Sequence, residues 1–230
     1  MDAIAEKYSV FDFFNLLIAG ITEIVLLCMS FVVGNSCFFD TIIKINESLS
    51  RHNSIIAIIV FICCAVVIGS IIQVIGIWII EKRIGWEKRT IEQCLENKAL
   101  WNNSIRLKHI QNKARDYLQL SDEQRIYTKE ICSAFFAHCV YYLHIKGADR
   151  KVEKLRETQG LSELLTCVFA IGFCENFIIT IVRLYNHCDI GHMLIMVSVS
   201  ACFTLVFYAR YIISGKNRIK MVLSIYDVLD

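Results

Sequence analysis

Proline is absent from all 230 residues, where about 5% would be usual. Proline removes a backbone donor and breaks helices. Its absence points to long, uninterrupted helices joined by short Gly, Asn, Asp and Ser turns, with almost no sheet. The sequence also lacks GxxxxGK[ST], GxGxxG, HExxH and GxSxG. Those absences argue against a phosphate loop, a dinucleotide fold, a zinc protease helix and a nucleophile elbow. His109, His138 and His144 fall in one polar stretch, but no nucleophile and base can be assembled around them. His138 sits beside an apolar stripe, where a satisfied core or interface histidine is the simpler reading. The expectation is therefore no enzyme, no cofactor and no metal.

None of the eleven cysteines stands in a CxxC pattern, and no zinc spacing is present. Cys28, Cys63, Cys64, Cys167, Cys174 and Cys202 lie inside apolar runs, where cysteine behaves as a small hydrophobe. Cys37 and Cys188 differ, because both fall at a predicted outer membrane face. They are either a bridge, if that face is oxidising, or two free thiols.

Basic residues are scarce in two loops. Residues 34–54 and 183–192 hold only Lys44, Arg51 and Arg183, out of 24 Lys and Arg. These loops separate four apolar runs, Phe13–Val33, Ile55–Ile80, Leu161–Leu184 and Met193–Ile213. Each run is long enough to cross a hydrocarbon core of about 30 Å as a helix. The positive-inside rule then places both termini and the middle stretch in the cytoplasm. The first run is too long for the apolar region of a cleavable signal, and only Lys7 precedes it, so it reads as a permanent span. A hydrophobic share of 56% and a mean hydropathy of +0.51 agree with a membrane protein.

The predicted organisation is residues 1–80 with spans 1 and 2, a helical cytoplasmic domain over 81–160, and 161–230 with spans 3 and 4 and a tail. The fold class is all-α. Net charge is +2, but residues 81–160 carry 16 basic and 11 acidic side chains. That excess fits anionic headgroups, an acidic partner or topology setting alone. Within this stretch, helices are expected over about 82–99 and 103–118. A capping box at Ser121-Asp122-Glu123-Gln124 should start a third. Its apolar stripe would be Ile126, Tyr127, Ile131, Ala134, Phe135, Cys139, Tyr142 and Leu143. A short basic helix over Arg150–Thr158 should end at Gly160, before span 3. Asn186 to Gly191 forms a tight outer turn that makes spans 3 and 4 antiparallel neighbours. Asn46-Glu47-Ser48 fits a glycosylation sequon, which matters only in a eukaryotic lumen.

Polar residues inside the runs are the candidate site. Glu23 lies near the middle of span 1, Gln73 in the inner half of span 2, and Glu175 near the middle of span 3, followed by Asn176. Ionisable groups at the bilayer centre are costly and persist facing a bundle interior, a wet cavity or a partner. Glu23 and Glu175 either border an ion path, as acidic rings do in cation channels, or hydrogen-bond between helices as glue. Ala65, Gly69, Gln73 and Gly76 share one face of span 2. Small residues there allow close helix approach, against span 1 or against another subunit.

Arg106, Lys108, Lys113 and Arg115 on one cytoplasmic helix are candidate ligand-binding residues, with Lys151, Lys154 and Arg156 nearer span 3 and Trp86, Trp101, Tyr117 and Tyr127 interspersed. Phosphate neutralisation plus base stacking is what single-stranded nucleic acid requires. A solvated charged face is the plainer alternative.

The opening segment Tyr8–Gly20 (YSVFDFFNLLIAG), the two-plus-two span layout and the small helical insert together resemble four-span membrane effectors of bacterial anti-phage defence. The most similar is the channel component of Hailong-type systems, with the membrane component of Kiwa-type systems as competitor. The Hailong resemblance implies a homotetrameric inner-membrane ion channel, held shut by DNA oligomers made by a partner nucleotidyltransferase. Loss of that signal would open it and depolarise the cell. The partners so implied are the lipid bilayer, further copies of the chain, short single-stranded DNA or a nucleotide signal, and a soluble operon-encoded protein. The Kiwa resemblance implies a non-conducting anchor or sensor that recruits a soluble partner.

Overall fold

The structure is a computed structural model that describes residues 10–34, 54–79, 86–96, 101, 104–119 and 128–229. Among these residues every regular element is helical. The helices are α1 (Val10–Gly34), α2 (Ser54–Gly76), α3 (Trp86–Glu96), α4 (Ser104–Leu118), α5 (Lys129–Ile145), α6 (Arg150–Tyr185) and α7 (Gly191–Leu229). Four of them, α1, α2, α6 and α7, are long and apolar enough to cross a membrane. This is a multi-pass membrane protein. The predicted capping box, the sequon, Cys37, Ile126 and Tyr127 lie outside the described residues.

The chain divides into two compact units. One comprises Met1–Ile77 and Gly160–Arg210, the other Trp78–Gln159 and Tyr211–Asp230. In the first, α1 buries a stripe of Leu16, Ala19, Glu23, Leu26 and Ser30. The spacing keeps these residues on one side of the helix. The small residues of α2 let it cross α1 at backbone contact. A Cβ on Gly20 would fall on the Ala65 carbonyl, and one on Gly69 would fall on the Leu16 carbonyl. Without Cβ atoms the helices gain dispersion contact that lipid does not offer. Hydroxyls within these helices bond to their own backbone. Thr22 donates to the Ile18 carbonyl at 2.7 Å, Ser70 to Val66 at 2.8 Å and Ser198 to Leu194 at 2.8 Å. Hydrocarbon supplies no alternative acceptor.

The membrane parts of α6 and α7 form an antiparallel hairpin, with Phe169 stacked on Phe203 at 4.9 Å and on Phe207 at 5.5 Å. Their turn places His187 in the left-handed region, φ 54°. Asp189 then accepts the Gly191 N–H at 3.0 Å and starts α7.

The second unit has its own core. Ile91, Cys94 and Leu95 of α3 meet Ile110 and Ala114 of α4. Phe135, Cys139 and Leu143 of α5 pack with them, as do Val152 of α6 and Ile219, Val222, Leu223 and Tyr226 of α7. The buried face of α5 includes Cys132 and Phe136, whereas Ala134 is exposed. The predicted stripe was therefore rotated by its weakest member, a small residue that fits either environment. Helix α5 stops where Gly147 turns left-handed, φ 62°, and Ala148 N–H returns to the Leu143 carbonyl at 3.0 Å.

One expectation is corrected. Gly160 does not break a helix, because α6 runs unbroken from Arg150 to Tyr185. A helical glycine costs about 1 kcal/mol, too little to stop a helix held by packing on both sides of it. Residues 211–229 continue α7 and complete the core of the second unit.

Candidate functional site

Glu23 belongs to the buried stripe of α1 and is only 4% exposed. Its Oε2 atom has no hydrogen-bond partner, and neither does Oε2 of Glu175. The two carboxyl groups are near enough to interact electrostatically. Two further polar groups are enclosed in the same unit. Asn176 and Ser200 are completely buried, and Asn176 Oδ1 and Ser200 Oγ lack partners. The Asn176 amide donates to the Gly172 carbonyl at 2.7 Å. A Cβ on Gly172 would lie 3.3 Å from Leu26 Cδ1 and 3.9 Å from Ser200 Oγ. Gly172 is therefore where α1, α6 and α7 converge.

Gln73 is half-buried on α2. Of the helix-packing residues, Ala65 and Gly69 face α1, as described above. Gly76 faces α6, where a Cβ would meet Cys167 Sγ at 2.9 Å and Glu163 Oε1 at 3.8 Å. The small face of α2 is thus used within one chain. Ser200 was missed in the sequence because serine is unremarkable in an apolar helix. Its spacing of seven from Met193, also fully buried, was the available signal.

The basic residues of the second unit divide. Arg106 Nε pairs with Asp227 Oδ2 at 3.1 Å, and its terminal nitrogen donates to the Ser224 carbonyl at 2.6 Å. His109 pairs with Asp227 at 2.5 Å. Lys113 donates to the Asp227 carbonyl at 3.2 Å and lies 5.7 Å from the centre of the Tyr226 ring. Tyr142 donates to the Leu229 carbonyl at 3.2 Å. These groups satisfy the last carbonyls of α7 and oppose its dipole. Arg106 and Lys113 therefore serve the fold, whereas Lys108 is exposed and Arg115 half-buried. The same logic closes α3, whose Cys94 and Leu95 carbonyls accept from Trp101 and Gln111, both at 2.6 Å. His138 stacks on Tyr117 at 3.8 Å and meets Tyr226 edge-on at 5.7 Å. A groove of about 780 Å³ runs beside this cluster, with Lys151, Lys220 and Arg106 around Leu155, Met221 and Ile225.

Burial pushes the Cys94 thiol up to about 11, against the nearby Lys220 and Lys216. Burial, with Glu92 and Glu96 adding to it, pushes Cys132 up to about 12. These thiols are core groups rather than nucleophiles. Among the described residues no group of His, Cys, Asp and Glu is arranged to hold a metal ion. No protein-family model, curated protein or solved structure matches this chain.

Proposed function

We propose that the chain is an ion-conducting or membrane-depolarising protein of a cell inner membrane, working as a homo-oligomer. The observation that carries this reading is Glu23, a carboxyl group enclosed in the middle of a membrane-spanning helix with one oxygen unbonded. Such a group is expensive in hydrocarbon and marks a polar pathway by default. Four spans are too few to enclose a wide pore, so the path would run between copies, as in a tetramer. The unit containing α3, α4 and α5 would face the cytoplasm and act as the gate. Exposed Lys108 on α4 and the lysines of the groove would receive an anionic nucleotide or oligonucleotide signal. Span layout alone supports a role in anti-phage defence.

The experiment is planar-bilayer recording of the purified chain, with and without short oligonucleotides. Discrete currents altered by Glu23→Gln are expected. Silence, or currents unchanged by Glu23→Gln and Glu175→Gln, would count against the reading. The second reading, a non-conducting anchor or sensor that recruits a soluble protein, is favoured by one observation. Val140, Tyr141 and Ile145 form an exposed apolar edge on α5, outside the spans. Copurification of a soluble protein with no ion flux would select it.

A further inference from the structure

Beyond the apolar run that ends at Ile213, helix α7 is apolar on two opposite sides. One side, Ile219, Val222, Leu223 and Tyr226, is buried in the core of the second unit. The other, Met221, Ile225 and Val228, lines the groove instead, and Val228 is 73% exposed. Their i, i+4 and i+7 spacing puts the three on one helix face. A helix outside a membrane ordinarily carries polar residues opposite its core face. Leu155 of α6 lines the same groove, and every lining residue belongs to the second unit.

The groove is also charged with one sign. Arg106, Lys151 and Lys220 line it, and no acidic residue does. Arg106 is held by Asp227, whereas neither Lys151 nor Lys220 is paired with an acid among the described residues. A cleft lined by cations draws an anion. No aromatic ring lines the groove, so a nucleobase would find nothing to stack on. Ten residues line it, where a stable protein partner engages about 20–30 on each side. An aliphatic anion meets both conditions. The lining on α7 runs from Asn217 to Leu229, about 18 Å at the rise of an α-helix, a length that accommodates one extended acyl chain. A phospholipid would leave its second chain in water, which the hydrophobic effect opposes.

We propose that this groove binds a long-chain fatty-acid anion, its acyl chain on Leu155, Met221, Ile225 and Val228 and its carboxylate on the groove's lysines, Lys151 and Lys220. The site does not depend on ion conduction. A fatty acid held there would compete with any other anionic signal for the same two lysines. The test is photocrosslinking of the full chain, in phosphatidylcholine nanodiscs, with palmitic acid carrying a diazirine on its chain, followed by mass mapping of the adducts. Adducts are expected on the groove-lining stretches, 151–155 and 217–229. Excess palmitate should remove them. Excess methyl palmitate, which keeps the chain and lacks the charge, should leave them in place. Lys151→Glu combined with Lys220→Glu should reduce them several-fold. Val228→Asp, at an exposed position that the core does not use, should do the same by charging the floor. Adducts confined to the membrane-spanning runs would overturn the site. So would adducts that both variants retain, or equal displacement by palmitate and its methyl ester. Displacement by phosphatidylglycerol added to the nanodisc, without displacement by palmitate, would overturn it in favour of a bilayer headgroup.

Discussion

Arg106 and Asp227 are 121 residues apart in sequence and 3.1 Å apart in the fold. Through this pair and the Ser224 carbonyl, helix α4 holds the last turn of α7. The Asp227 side chain is 10% exposed, so removing Arg106 leaves a largely buried carboxylate with only His109 paired to it. Charge-assisted hydrogen bonds are worth about 1.5–3 kcal/mol. Arg106→Ala should destabilise the second unit by about that much in denaturant unfolding. Arg106→Lys should recover only part of it, because a single ammonium cannot fork between two acceptors. Lys108→Ala, at an exposed position on the same helix, should change stability by less than about 0.5 kcal/mol.

Glycines of this chain should respond to alanine in opposite directions. At Gly20 and Gly69 the added methyl lands on a backbone carbonyl of the facing helix, so α1 and α2 must part. Overpacking of this kind costs about 1–3 kcal/mol. At Gly160 a Cβ meets nothing within 4 Å, and the residue is inside a helix. Gly160→Ala should stabilise by about 0.4–1 kcal/mol. Thermal midpoints of the three single variants in detergent check the sign at each position.

The spans were legible because apolar length translates directly into a membrane helix, and the runs coincide with α1, α2 and parts of α6 and α7. Glu23 and Glu175 were visible for the converse reason, as charges inside such runs. Gly160 misled because a local breaker signal is overridden when a helix is packed at both ends. The stripe Ile219, Val222, Leu223 and Tyr226 was present at helical spacing, yet its partners from α3 to α5 lie more than 70 residues away. The roles of Arg106 and Lys113 were hidden for the same reason. A basic side chain that caps a distant helix end looks, in sequence, like one awaiting a ligand.

The thiols should separate by environment. Cys94 and Cys132 are completely buried, with pKa values raised to about 11 and 12. A raised value means the folded state favours the neutral thiol. That contribution is complete below the ordinary pKa, near 9, and is lost as pH climbs through 11–12. At pH 7.5 the native chain should leave both unalkylated while exposed Cys188 reacts. Urea should make all three reactive. Mass mapping of iodoacetamide adducts reads the difference.

Everything functional depends on the chain threading a bilayer four times with residues 81–160 inside, and labelling intact cells tests this most directly. A membrane-impermeant maleimide should modify Cys188 in the turn between α6 and α7. An introduced Lys151→Cys, at an exposed position in the other unit, should react only after permeabilisation. Labelling of Lys151→Cys in intact cells, or protection of Cys188 there, would contradict the account.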